Sequence, residues 1–275
     1  MDLFRGTGGI ELLLYVLCIG HFIADFFLQS SRMARLKREK FRYLLLHCGV
    51  YAIVFAAISY ACLTPGYATC SFFIIILSHF VIDLIRCKID NRSNNPKVGL
   101  VCFLIDQLLH IGVIIGVYCF LELNMHVNWL YRHCLGYSEF STIVLYTLLF
   151  TILMFPSSVF VKKLLEMLYN RNSKTCEGED KKKTQRGKGT SKKQKSEYVY
   201  ECPNVGSMIG MLERVITSIL LLCNQYSAIG LVLTAKSIAR FKQLEDKDFA
   251  EKYLIGTLSS LLLSLVTTLI VKRLL

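Results

Sequence analysis

Long apolar runs separated by short basic stretches constrain this chain more than any other feature. Runs near residues 10–30, 43–63, 69–87, 99–122 and 141–163 each approach the roughly 20 residues that a helix needs to cross a hydrocarbon layer. A sixth lies near 205–223, a shorter apolar piece covers 227–239, and the last runs from 249 to 271. Inside a bilayer no water bonds the backbone, so each run must satisfy its own amides and carbonyls as a helix. The expected fold is all-α, a polytopic membrane helical bundle of about seven apolar helices. The piece 227–239 is thin for a span; it crosses at a tilt, re-enters, or lies at the interface.

Composition supports this. With 53% hydrophobic and 19% charged residues the chain lacks the polar surface of a soluble domain. A net charge of +12 would suit nucleic acid, but the basic residues cluster beside apolar runs, so no nucleic-acid partner is expected. Arg32, Arg35, Lys37, Arg38, Lys40 and Arg42 lie between the first two runs, and Arg86, Lys88, Arg92 and Lys97 between the third and fourth. The segments 64–68 and 123–140 hold only Arg132. Basic loops stay in the cytoplasm, which predicts the N-terminus outside. Residues 10–30 lack a basic leader and a small-residue cleavage site, so they are expected to remain as the first span. The 11 cysteines are scattered, without a CxxC pair, and suit small buried hydrophobes.

Residues 170–203 change character, being lysine-rich with no aliphatic run. They are expected to form a disordered cytoplasmic linker between an N-terminal membrane module, 1–169, and a C-terminal one, 204–275. Membrane lipids are the expected partners, with anionic head groups attracted to this linker. Nothing in the sequence sets the oligomeric state.

Ionisable residues inside a bilayer are costly and face the bundle interior. His21, Asp25 and Gln29 are spaced by four, which puts them on one helix stripe. His79 and Asp83 repeat the spacing, and Asp106 and His110 reverse it. With alternating helix directions, each Asp then lies nearer the cytoplasm and each His about 6 Å deeper. His47, at the start of the second span, is expected at the edge of the same layer. Imidazoles and carboxylates together suit a divalent metal such as zinc, manganese or iron. The expected ligands are His21, Asp25, His47, His79, Asp83, Asp106 and His110, with Gln29 and Gln107 supporting them or binding substrate. The same residues also suit a hydrogen-bonded lock between helices. No HExxH or GxSxG motif names a reaction, so no catalytic residue is assigned.

A weaker constellation follows the linker. Glu213, Arg214, Lys236, Arg240 and Glu251 sit in or beside apolar runs. Lys236 and Arg240, four apart, either pair with these carboxylates or bind a phosphate or carboxylate.

The stretches "HFIADFFLQ", "LLLHCGVYA", "SHFVIDLIR" and "FLIDQLLH" resemble an uncharacterised bacterial membrane family, domain of unknown function 3307, over about residues 10–120. The segments "IGMLERVITSILLLCNQYSAIGLVLTAKSIARF" and "AEKYLIGTLSS" resemble the second half of its longer members. The resemblance implies a multi-pass bacterial inner-membrane protein and supplies no reaction. From the residues themselves, three functions remain open. One is a metal-dependent hydrolase of a lipid or lipid-linked phosphate at the cytoplasmic face. The others are a structural or regulatory membrane protein locked by the His/Asp layer, and a divalent-metal or proton transporter.

Overall fold

The computed structural model describes residues 12–93, 95–169 and 205–275. The segment expected to be a linker, 170–203, lies outside them. Helices dominate the described residues, and β pairing is limited to an isolated Leu63–Val127 bridge.

Helix α1 (Leu12–Phe22) passes into a π-helical turn, Ile23–Phe27, closed by a Leu28 N–H donated to the Ile23 carbonyl at 3.0 Å. The chain then bends by 81° into α2 (Ser31–Glu39), so the first apolar run ends in a break. Ser30 caps α2 by accepting from the Met33 amide. Three long helices follow, α3 (Phe41–Cys62), α4 (Pro65–Arg92) and α5 (Pro96–Phe120). Pro65 and Pro96 stand at helix starts, where a missing N–H costs nothing, and Asn95 caps α5.

At the end remote from α2, α6 (Trp129–Leu135) is tied to α3 by Asn128, which donates to the Tyr60 and Ala61 carbonyls. Helices α7 (Phe140–Met154) and α8 (Pro156–Tyr169) form one span with a break at Pro156, which has no N–H to continue the ladder. Two carbonyls at the break find other donors: the Ser157 hydroxyl bonds Ile152 O at 2.8 Å and Arg214 Nε bonds Leu153 O at 2.7 Å. Arg214 comes from α9 (Val205–Leu222), which is followed by α10 (Tyr226–Ala239) and α11 (Lys247–Leu274). Helix α11 packs on α7, α8 and α9, with Ser260, Ser264 and Thr268 buried.

Five spans are long and apolar enough to cross a membrane: α3, α4, α5, α7–α8 and α11; α1 with α2 makes a sixth if the bent pair is taken as one. Helix α9 and the shorter apolar α10 are not among these spans. Leu13, Leu17, Tyr51, Phe55, Ile75 and Ile114 fill the interior between α1, α3, α4 and α5. Ile53 and Leu108 are each 72% exposed, and Phe73 and Leu77 also face outward. Such large apolar side chains on the outside of helices of spanning length are lipid-facing. The chain is a multi-pass membrane bundle.

Candidate metal centre

Four helical segments converge near the end of the bundle that carries α2. The π turn supplies Asp25, α3 supplies His47, α4 supplies His79 and Asp83, and α5 supplies Asp106 and His110. All six are buried, and His47 is fully enclosed. A π turn inserts a residue into the helical ladder and often marks a functional position; here Asp25 lies inside it.

The centre of the cluster is His47 Nε2. It lies 3.2 Å from Asp25 Oδ1, 3.2 Å from Asp83 Oδ2 and 3.3 Å from His79 Nε2. His47 was expected at the edge; nearly two turns into α3, it instead lies between the two carboxylates. One donor atom from each of Asp25, His47, His79 and Asp83 lies within 4.8 Å of the others. Asp83 also belongs to a second such group, with Asp106 and His110. Ligand bonds of about 2.0–2.1 Å in a tetrahedral site impose donor separations of roughly 3.3 Å; the three distances from His47 Nε2 match this, while His79 Nε2 and Asp83 Oδ2, 3.9 Å apart, would have to draw closer around an ion.

His21 stands in neither group. Gln107 Oε1 can only accept, so His21 Nε2, 3.3 Å away, carries the proton. The Tyr51 hydroxyl then donates to His21 Nδ1 at 3.1 Å. The Gln107 amide nitrogen donates to Asp25 Oδ2 at 3.1 Å and Asp106 Oδ2 at 3.0 Å. His21 and Gln107 thus hold two carboxylates in place. Tyr51 also stacks on His79 with centroids 3.6 Å apart.

Gln29 falls beyond the π turn and off the α1 stripe, since the helix ends at Phe27. Its carboxamide nevertheless lies 3.0 Å from His47 Nδ1. Either end of that amide fits the density of contacts; with the oxygen facing Nδ1–H, the Nε2 lone pair is freed for an ion. His110 is set in this sense already. Its Nδ1 donates to the Asp106 carbonyl at 2.9 Å, which leaves Nε2 unprotonated, buried and without a partner. Asp106 Oδ1 and His79 Nδ1 are likewise buried without hydrogen-bond partners.

Two cations that read in the sequence only as loop charges also reach the cluster. Lys37, from α2, donates to Asp83 Oδ2 at 2.9 Å, and Arg86 pairs with Asp106. Among the described residues Asp25 ion-pairs with no Lys or Arg, only with His47. A cavity of about 140 Å³ opens beside these groups, lined by Asp25, Lys37, Arg86, Asp106, Gln107 and Lys163 among others.

Lys236 and Arg240 lie elsewhere, beside a separate cavity. Lys236 pairs with Glu213 at 2.6 Å and bonds the Thr257 hydroxyl at 3.0 Å. Arg240 has no ion pair among the described residues.

Neither a curated protein nor a solved structure matches the chain. Residues 13–137 match the family described as "Protein of unknown function (DUF3307)", a stretch that holds the whole His/Asp cluster and stops before α7. Over those residues the chain is similar to that family.

Proposed function

We propose that Asp25, His47, His79 and Asp83 hold a divalent metal ion, and that the protein is a metal-dependent hydrolase of a lipid or lipid-linked phosphate ester. The working face is the cytoplasmic side of a bacterial inner membrane, because the arginines and lysines of α2 and the α4–α5 turn gather there. The observation that carries the reading is the crowding at His47 Nε2, with two carboxylate oxygens and an imidazole nitrogen within 3.3 Å. An imidazole nitrogen has one proton or one lone pair, and cannot satisfy three such neighbours.

The cavity beside the cluster supports a phosphate ester as substrate. Lys37, Arg86 and Lys163 at its wall attract an anion toward the buried carboxylates. A bound divalent ion would polarise a phosphoryl oxygen and acidify a water molecule. In the hydrolysis the water oxygen bonds to phosphorus, the phosphorus–oxygen bond to the lipid alcohol breaks, and the water proton passes to the leaving oxygen. Asp106, with a buried and unpartnered Oδ1, suits the role of proton carrier. Arg86 holds its other oxygen and Gln107 orients it.

One observation favours a second reading. Lys37 and Arg86 already neutralise Asp83 and Asp106, so a protonated His47 bridging Asp25 and Asp83 would complete a structural lock without a metal. Transport is less well supported. Toward the far end the interior beyond His79 is filled by Phe55, Ile75, Ile114 and Leu17, which offer an ion no polar path.

Metal analysis of the purified full chain, beside Asp83→Asn and His79→Ala, separates the readings. The expected result is about one zinc, manganese or iron per wild-type chain and a loss of most of it in both variants. Phosphate release from phosphatidic acid micelles should follow the metal. A wild-type chain that stays metal-free after incubation with each ion sinks the proposal in favour of the lock.

A further inference from the structure

A cavity larger than the one beside the His/Asp cluster lies elsewhere in the bundle. It measures about 320 Å³ and lies between α8, α9, α10 and α11. Helix α8 separates the two cavities: Lys163 lines the one beside the cluster and Lys162 the other. We propose that this second cavity binds a phosphate-type anion, with Arg214 as its floor and Lys162, Lys236, Arg240 and Lys252 around it.

Arg214 is the strongest argument. It is only 3% exposed, and its donors go to neutral acceptors: the Leu153 carbonyl and the hydroxyls of Ser260 and Ser158. Its hydrogen bonds are therefore served, while no carboxylate forms an ion pair with it among the described residues and Glu213 acts on it only from a distance. Glu213, the sole carboxylate in the lining, is bound to Lys236 at 2.6 Å. A buried guanidinium without a directly paired carboxylate is costly, and the adjoining space admits a small anion. The charge of the wall points the same way. Arg240 and Lys162 have no ion-pair partner among the described residues, and Lys252 rests on the Tyr169 ring at 4.8 Å. A phosphate group accepts from several cations at once and suits an arginine flanked by lysines. The site is independent of the metal centre, and neither proposal needs the other.

The phosphate belongs to either a phospholipid head group or a soluble phosphate ester. Thermal melting of the full chain in detergent distinguishes them. One arm adds inorganic phosphate against chloride at matched ionic strength; the other adds phosphatidylglycerol against phosphatidylcholine to the micelles. An anion held here raises the wild-type melting temperature by a few degrees, on the order of 4 °C. A rise with inorganic phosphate identifies a soluble anion, and a rise with phosphatidylglycerol alone identifies a lipid head group. In Arg240→Gln and Lys162→Gln the rise should fall by at least half, while melting without anion stays as in wild type, because neither side chain has a buried partner to lose. Asp83→Asn should keep the full response. No rise in either arm overturns the site, as does a full response in both cavity variants or a response abolished by Asp83→Asn.

Discussion

At His47 the surroundings ask for positive charge, and two sources compete to supply it. One is the proposed metal ion; the other is Lys37, whose ammonium lies 2.9 Å from the Asp83 oxygen that also faces His47 Nε2. Two cations this close repel by a few kcal/mol even at a moderate effective dielectric constant. Lys37→Met should therefore tighten metal binding by about tenfold or more, read as the free-ion concentration at half occupancy. If metal binding instead weakens, Lys37 positions Asp83 and does not compete. His21 gives a contrasting expectation. Its two nitrogens are engaged by Tyr51 and Gln107, so His21→Asn should keep bound metal while loosening Asp25. Metal loss as complete as in His79→Ala would place His21 among the ligands.

Among the elements, α1 and α3 set how closely the cluster can assemble. Gly20 is where they meet: a Cβ there would collide with Ile58 Cδ1. That methyl is the tip of a flexible side chain, so Gly20→Ala should be absorbed by rotation of Ile58 at a cost of about 1 kcal/mol or less. Gly20→Leu overfills the contact, and insertions of that size cost roughly 1–3 kcal/mol. It should also move His21 from Tyr51 and Asp25 from His47, lowering metal content along with the melting temperature. Unchanged metal and melting in Gly20→Leu would show that α1 tolerates a wider spacing. The Pro156 break has a different consequence. By freeing the Leu153 carbonyl it gives Arg214 an acceptor in the span, and thereby fixes the floor of the second cavity.

For the whole molecule the two cavities on either side of α8 imply a polar, cation-rich end and an apolar opposite end. Under the proposed orientation the cation-rich end faces the cytoplasm, because lysines and arginines stay on that side. Single-cysteine chains test this in intact cells with a membrane-impermeant thiol reagent. Cys119, exposed at the far end of α5, should react from outside, while Thr190→Cys, in the lysine-rich segment, should react only after lysis. External labelling at position 190 would reverse the orientation.

The sequence alone determined the class of fold and the buried faces that carry His79 with Asp83 and Asp106 with His110. Hydropathy is a local sum, so the long runs of α3, α4, α5 and α11 could be read directly. Spacing by four is also local, so the pairs His79 with Asp83 and Asp106 with His110 were legible as facing inward. Contacts between helices were not. Lys37 and Arg86 looked like topological charges, yet the 81° bend after the π turn lays Lys37 over Asp83. Arg86, three residues beyond Asp83, reaches across to Asp106 on α5. His47 moved from the edge to the centre, and Tyr51, apparently remote, became the partner of both His21 and His79. Arg214 gave no sign that it would stand over a proline break. The physical reason is common to all of them. Periodicity fixes which residues share a face of one helix, but the rotation, depth and breaks that bring faces together depend on packing between segments far apart in the chain.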